Sequence, residues 1–289
     1  MPAAALSPDA APTFLAVGDV MVDVVCSAAP VPSERLHADV TVRAGGTALN
    51  AAIAAAAAGA TATLVGRVGT DAAADLVSSE LEARGVAATL ARDASLATGA
   101  AVAFATGGVV AMRGANARLS VDDVPVTLDA DALFVSGFAL FQDGSAAAAQ
   151  AAIDRFRGRW LGIDVASPRL AAVAREAHFA PPAGVTTVLF ATADEARELA
   201  DAEPEQAART LAQRFTVACV KLGAEGAIAA SGDAVVRARS DLVEAASPFG
   251  AGDAFAGTLL AALAGGISLE PALEQACAAG ARAAADEPS

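Results

Sequence analysis

The chain reads as an α/β protein built on a mostly parallel central sheet, and three observations carry that reading. From residue 129 onward short apolar runs recur at Ala132 to Ser136, Leu161 to Val165, Val185 to Phe190, Val217 to Leu222 and Gly226 to Ala230, the earlier ones separated by alanine-rich helical stretches. Alternation of this kind implies a parallel sheet covered by helices on both faces. Upstream, Phe14 to Val25 (FLAVGDVMVDVV) is rich in β-branched residues and is read as one buried first strand. Finally, Gly45, Asn50, Asp164, Glu195, Lys221 and Asp253 each follow or end an expected strand. That places them on one rim of the sheet, where open α/β sheets bind ligands.

Taken in order, residues 1–12 (MPAAALSPDAAP) are Ala/Pro-rich, lack a basic leader segment and contain Asp9, so a loose tail is expected and not a signal peptide. Asp19 and Asp23 interrupt the first strand, and carboxylates there cost free energy unless they are paired or face a site; one of them is expected to face ligand. Residues 42–71 read as strand, Gly45-Gly46 turn, alanine-rich helix, stop at Gly59, strand and turn. Asn50, one turn into that helix, projects an amide back toward the glycine pair, and an amide that both donates and accepts suits a polyol. Asp75 to Arg84 is a helix ended by Gly85, and 98–113 is two strands joined at Gly107-Gly108. Arg113 is expected to be an ordinary surface arginine after a strand.

At 289 residues the chain can bury a substantial core in one large α/β domain or two small ones. Acidic residues (33) outnumber basic ones (19) for a net charge of -14, with no basic cluster, which argues against nucleic acid and anionic membranes as partners. Cys26, Cys219 and Cys277 are isolated, with neither zinc spacing nor an even count for a disulfide framework, so a reducing cytoplasm is expected. The alanine runs 51–60 and 254–264 are too short and too weakly apolar for membrane spans.

The stretch that carries chemistry is Ser247 to Leu263, SPFGAGDAFAGTLLAAL. Gly250 and Gly252 let the backbone turn its N–H groups toward a common point, and the helix that follows adds unpaired N–H groups and the positive end of its dipole. The result is an anion site suited to a phosphate. Asp253 at its mouth either stabilises the helix N-terminus or takes a proton from a nucleophile that attacks the bound anion. Neither a Walker A loop nor a protein-kinase glycine loop occurs in the chain, and no G-x-G-x-x-G follows the first strand.

GAGD with AFAGTLLAAL, together with the upstream GGTALN, GAT and LVGRVGTD, resembles the two signatures of the ribokinase-like (PfkB) carbohydrate kinases, over about residues 13 to 285. That resemblance implies a three-layer fold over residues 13–289, with a small β-sheet lid formed around 31–43 and 98–113, and RGANARLSVDDV as the connection beyond it. It also implies ATP-dependent phosphorylation of a hydroxyl on a small sugar or sugar acid. Asp253 would be the general base, and the amides of Gly250, Ala251 and Gly252 the anion hole. Asp23, Gly45, Gly46 and Asn50 would contact the substrate. VKLGAEG is similar to the nucleotide loop, which assigns Gly223 and Gly226 to ATP and Lys221 to phosphate as a point charge. FATADEARELA resembles an N-x-x-E motif, in which Glu195 would order Mg²⁺ through water and Thr192 replaces the Asn.

Two further departures accompany Thr192. Ser247 stands where many members carry an Asp linked to a monovalent cation, so the resemblance does not extend to potassium activation. The sequence also ends at 286–289 without the tail that usually completes the adenine pocket, which leaves adenine to the apolar 263–281 region or to a more open pocket. A nucleoside kinase of the same fold is one alternative, and a ligand-binding protein on a decayed kinase fold is another. An exposed lid edge would favour a homodimer.

Overall fold

The computed structural model describes residues 10–104, 108–177, 181–240 and 249–285. The chain begins in β1 (Thr13–Val17), crosses into β2 (Met21–Cys26) and β3 (Val40–Gly45), then runs through α1 (Thr47–Ala57), β4 (Thr61–Val68), α2 (Ala72–Ala83) and β5 (Ala87–Arg92). After β6 (Gly99–Phe104) and β7 (Val109–Met112) come β8 (Ala132–Val135), α3 (Gly137–Leu140), α4 (Ala146–Arg155), β9 (Trp160–Asp164) and α5 (Pro168–Glu176). The last part holds β10 (Thr186–Thr192), α6 (Ala193–Ala200), α7 (Pro204–Leu211), β11 (Val217–Lys221), β12 (Ala227–Ser231), β13 (Ala234–Ala238), α8 (Ala251–Ala264) and α9 (Leu269–Ala285).

Nine strands form the large sheet in the order β13-β12-β11-β10-β9-β8-β1-β4-β5. All pairings from β11 to β5 are parallel, and β12 and β13 close one edge as an antiparallel hairpin. Along β1 the side chains alternate between two cores. Phe14 and Ala16 join Leu49, Leu259 and Leu273 on one face. Leu15 and Val17 join Ile153, Leu199 and Leu211 on the other. Burial on both faces explains why these strands read as continuous apolar runs.

Helices α1 and α8, which carry Asn50 and Asp253, cross on the first of these faces at very short range. A Cβ added to Gly257 would stand 2.1 Å from the Ala51 carbonyl oxygen. Gly257→Ala is therefore expected to force the helices apart and cost about 1–3 kcal/mol, measured as a lower urea midpoint at unchanged slope. An unchanged midpoint would show that the crossing yields freely.

A second, four-stranded sheet has the order β3-β2-β6-β7 and forms the lid. Here the expectation of one strand over 14–25 is corrected. Gly18, at φ 147°, turns the chain out of the large sheet, so β1 and β2 belong to different sheets. Asp19 lies in the turn between them and is buried, and its carboxylate accepts a 2.7 Å bond from the Ser136 hydroxyl. Burial raises its pKa, against the pull of that hydrogen bond. Of the lid segment expected at 31–43, only Val40 onward is strand, and the lid continues to Gly45. The strands flanking the 107–108 turn are present, with Gly108 described and Gly107 outside the described residues. Residues 1–9, 286–289 and Ser247 also lie outside them.

The base of the lid is pinned by the buried Asn116, whose side chain accepts from Val20 N–H at 3.0 Å and donates to Val20 carbonyl at 2.9 Å. Arg113 is not a free surface residue. Its guanidinium donates to the carbonyl oxygens of Phe138 and Asp143 and to the Ser145 hydroxyl. Two edge strands, β5 and β13, were not anticipated from the sequence. Exposure leaves their apolar signal weak: Ala87, Ala88, Thr89 and Arg92 are exposed in β5, as are Ala234 and Arg237 in β13.

Candidate active site

The site lies where the lid, the α1 and α8 N-termini and the ends of β9, β10 and β11 converge. Gly250 caps α8 with φ 83°, a left-handed conformation that glycine adopts without strain. The Ala254 N–H bonds back to the Gly250 carbonyl at 2.9 Å. The N–H groups of Ala251, Gly252 and Asp253 precede that first helical bond and form the open end of the helix, an arrangement that can receive an anion.

Asp253 projects from this first turn, half-buried, and its Oδ2 accepts a 2.9 Å bond from Asn50 Nδ2. Residues 203 positions apart thus meet across the α1–α8 pair. Burial raises the Asp253 pKa most, and the Asp164 and Asp23 charges add to it. The Asn50 hydrogen bond and Lys221 oppose, and the carboxyl settles at about 7. A carboxyl poised there can exchange a proton near neutral pH.

Lys221, at the end of β11, pairs with Asp164, at the end of β9, at 3.0 Å, with side chains only 13% and 6% exposed. Burial alone would lower the Lys221 pKa, but Asp164, Glu195 and Asp253 surround it and raise it, so it stays charged. Its ammonium would stand 3.1 Å from a Cβ built on Gly252, which sets it against the anion site. The lysine is neither exposed nor free. Sequence reasoning placed Asp164 on the rim but not in this pair, because the partner comes from another strand.

Glu195 is buried and forms a capping box with Thr192: the Thr192 N–H donates to Glu195 Oε2 at 2.7 Å and the Glu195 N–H to Thr192 Oγ1 at 3.3 Å. The substitution of Thr for Asn therefore retains a helix cap. Burial, then the Asp164 charge, raises the Glu195 pKa.

Gly223 and Gly226 flank a short turn after β11, both at positive φ. With Thr192, Lys221, Ala251, Gly252, Phe255, Cys277, Gly280 and Ala281 they line a cleft of about 830 Å³. One wall comes from α9.

On the lid side, Gly45 permits a close approach: its missing Cβ would fall 2.0 Å from Asp23 Oδ2. Gly46 caps α1 at φ 102°. Asp23 faces Arg43 across β2 and β3, and Arg43 Nη2 donates to the Phe249 carbonyl at 3.3 Å. Burial raises the Asp23 pKa and Arg43 lowers it. The sequence motifs passed over Arg43, whose contact lies 206 residues away. Among the described residues no group of three or more His, Cys, Asp or Glu could hold a metal ion, and no helix is long and apolar enough to cross a membrane.

Comparison with known proteins places this geometry in a family. The pfkB family carbohydrate kinase model matches residues 12–287, and the chain belongs to that family. It is accordingly a phosphotransferase of the carbohydrate-kinase class that uses ATP. Solved structures share the fold at low identity. A putative Ribokinase II from E. coli in complex with ATP and Mg²⁺ is 21% identical, with TM-score 0.82 over 96% of this chain and 94% of that one. Adenosine kinase from Sinorhizobium meliloti is 22% identical, with TM-score 0.80 over 94% and 93%. Fructokinase from Vibrio cholerae O395, bound to fructose, ADP and calcium, is 22% identical, with TM-score 0.80 over 96% and 94%. No curated protein sequence matches the chain.

Proposed function

We propose that the protein transfers the γ-phosphoryl group of ATP to a hydroxyl of a small sugar or sugar acid. The observation that carries this reading is Asp253, held at the open amide end of α8 with one oxygen bonded to Asn50 and its pKa raised to about 7. The acceptor hydroxyl lies against Asp23, Gly45, Gly46 and Asn50, and gives its proton to Asp253 as it attacks. The amides of Gly250, Ala251 and Gly252 and the Lys221 ammonium stabilise charge on the migrating group. ATP lies along the cleft past Gly223, Gly226 and Thr192. Glu195 and Asp164 would hold a magnesium ion that arrives with the nucleotide, and that ion would neutralise charge on the phosphates.

Sugar is favoured over nucleoside by the inner face of the lid. Register places Met21, Val25, Thr41, Gly45, Gly99, Ala101, Ala103, Val109 and Ala111 on the same face as Asp23 and Arg43, and none of them is aromatic. A base would find no stacking partner on that face. The test is ADP release with Mg²⁺-ATP across pentoses, hexoses, sugar acids and nucleosides. Stimulation by a sugar or sugar acid is expected. Stimulation by nucleosides alone would replace the acceptor class, and ligand-induced thermal stabilisation without any turnover would leave a binding protein.

The opposite face of the lid is apolar. Val42, Val24, Val102 and Val110 lie in one cross-strand row, and Val40, Val42, Val110 and Met112 are more than half exposed, at 56%, 53%, 70% and 53%. We propose that a second copy covers this row, which is self-complementary. Val110→Lys is then expected to convert a dimer to a monomer in sedimentation. A wild-type chain that sediments as a monomer at tens of micromolar would refute the pairing.

A further inference from the structure

Arg43 has no part in the chemistry described so far, yet it connects the lid to the anion site. The carbonyl it holds belongs to the Phe249–Gly250 peptide. A trans peptide points its C=O and N–H in opposite directions. Holding the Phe249 oxygen toward the lid therefore turns the Gly250 N–H away from the lid, and the two residues that follow, Ala251 and Gly252, line the cleft. Glycine at φ 83° leaves either orientation of this peptide accessible, so its bonding partner decides the orientation. A guanidinium on the carbonyl also polarises the amide and strengthens the N–H as a donor.

We propose that Arg43 is a positioning residue for phosphoryl transfer: through the Phe249 carbonyl it fixes the Gly250 N–H as a donor to the migrating phosphoryl group. The inference rests on the phosphotransfer reading given above. Arg43 and Asp23 form one cross-strand pair.

The test compares Arg43→Met, which keeps the aliphatic stem, with Arg43→Lys, which can still donate to the carbonyl. R43M is expected to lower kcat about 10²-fold while KM for ATP moves less than about threefold, and R43K to recover about tenfold of that loss. The Gly250 amide resonance is expected to shift in R43M and return toward its wild-type position in R43K. A kcat for R43M within about threefold of wild type, a loss confined to acceptor KM, or an unmoved Gly250 resonance would overturn the role of Arg43. Wild-type transfer to an acceptor is the control: its absence overturns the phosphotransfer reading and this role with it, whereas equal turnover by wild type and R43M overturns the role alone.

Discussion

Replacement of Asp253 by Asn is expected to lower acceptor-dependent turnover by about 10² to 10⁴ while leaving ATP affinity nearly unchanged. Asn keeps the shape and can still accept from Asn50, but it cannot take a proton. The same substitution has a stability signature of opposite sign. The Asp253 carboxyl titrates at about 7 in the fold against 3.8 for a free aspartate. Between those values the folded chain holds a proton that the unfolded chain has lost, so this group's contribution to stability falls as pH rises through about 7. The variant lacks that loss. Its Tm should overtake that of the wild type as pH is raised from about 5 to about 8, and a constant difference across that range would show that Asp253 is not destabilised by its surroundings.

The second large effect is expected at Lys221. Lys221→Met strands the Asp164 carboxylate, which is 6% exposed, without its 3.0 Å partner. Breaking a buried pair from one side costs about 3–5 kcal/mol, so thermal unfolding should move down by roughly 10 °C. The double change with Asp164→Asn removes the orphaned charge and should recover much of the loss. Lys221 also holds the Asp253 pKa down. The acid limb of kcat/KM in surviving K221M enzyme should therefore move to higher pH. Unchanged stability in K221M would mean that the pair is solvated, and an unchanged kcat/KM would remove the lysine from the groups stabilising the transferred phosphoryl.

How far the sequence disclosed all this depends on the range of each interaction. The central strands were legible because burial on both faces leaves unbroken apolar runs, and the anion turn because its glycines and helix are contiguous. The split between β1 and β2 was hidden, since both halves are apolar and one residue, Gly18, makes the switch. Edge strands β5 and β13 carry half-exposed residues and so lacked the signal of the inner ones. The GGTALN pattern pointed to Asn50, but only the folded crossing of α1 and α8 brings it to Asp253. Asp164 and Arg43 act through partners 57 and 206 residues away, and no local pattern encodes such distances.

The most direct measurement follows the γ-phosphoryl group itself. With γ-labelled ATP and the acceptor selected by ADP release, the label should appear in a phosphomonoester of that acceptor, and Asp253→Asn should suppress its appearance by about 10² or more. Label released only as inorganic phosphate, at a rate indifferent to the acceptor and to Asp253, would contradict the assignment of this site to transfer onto a hydroxyl.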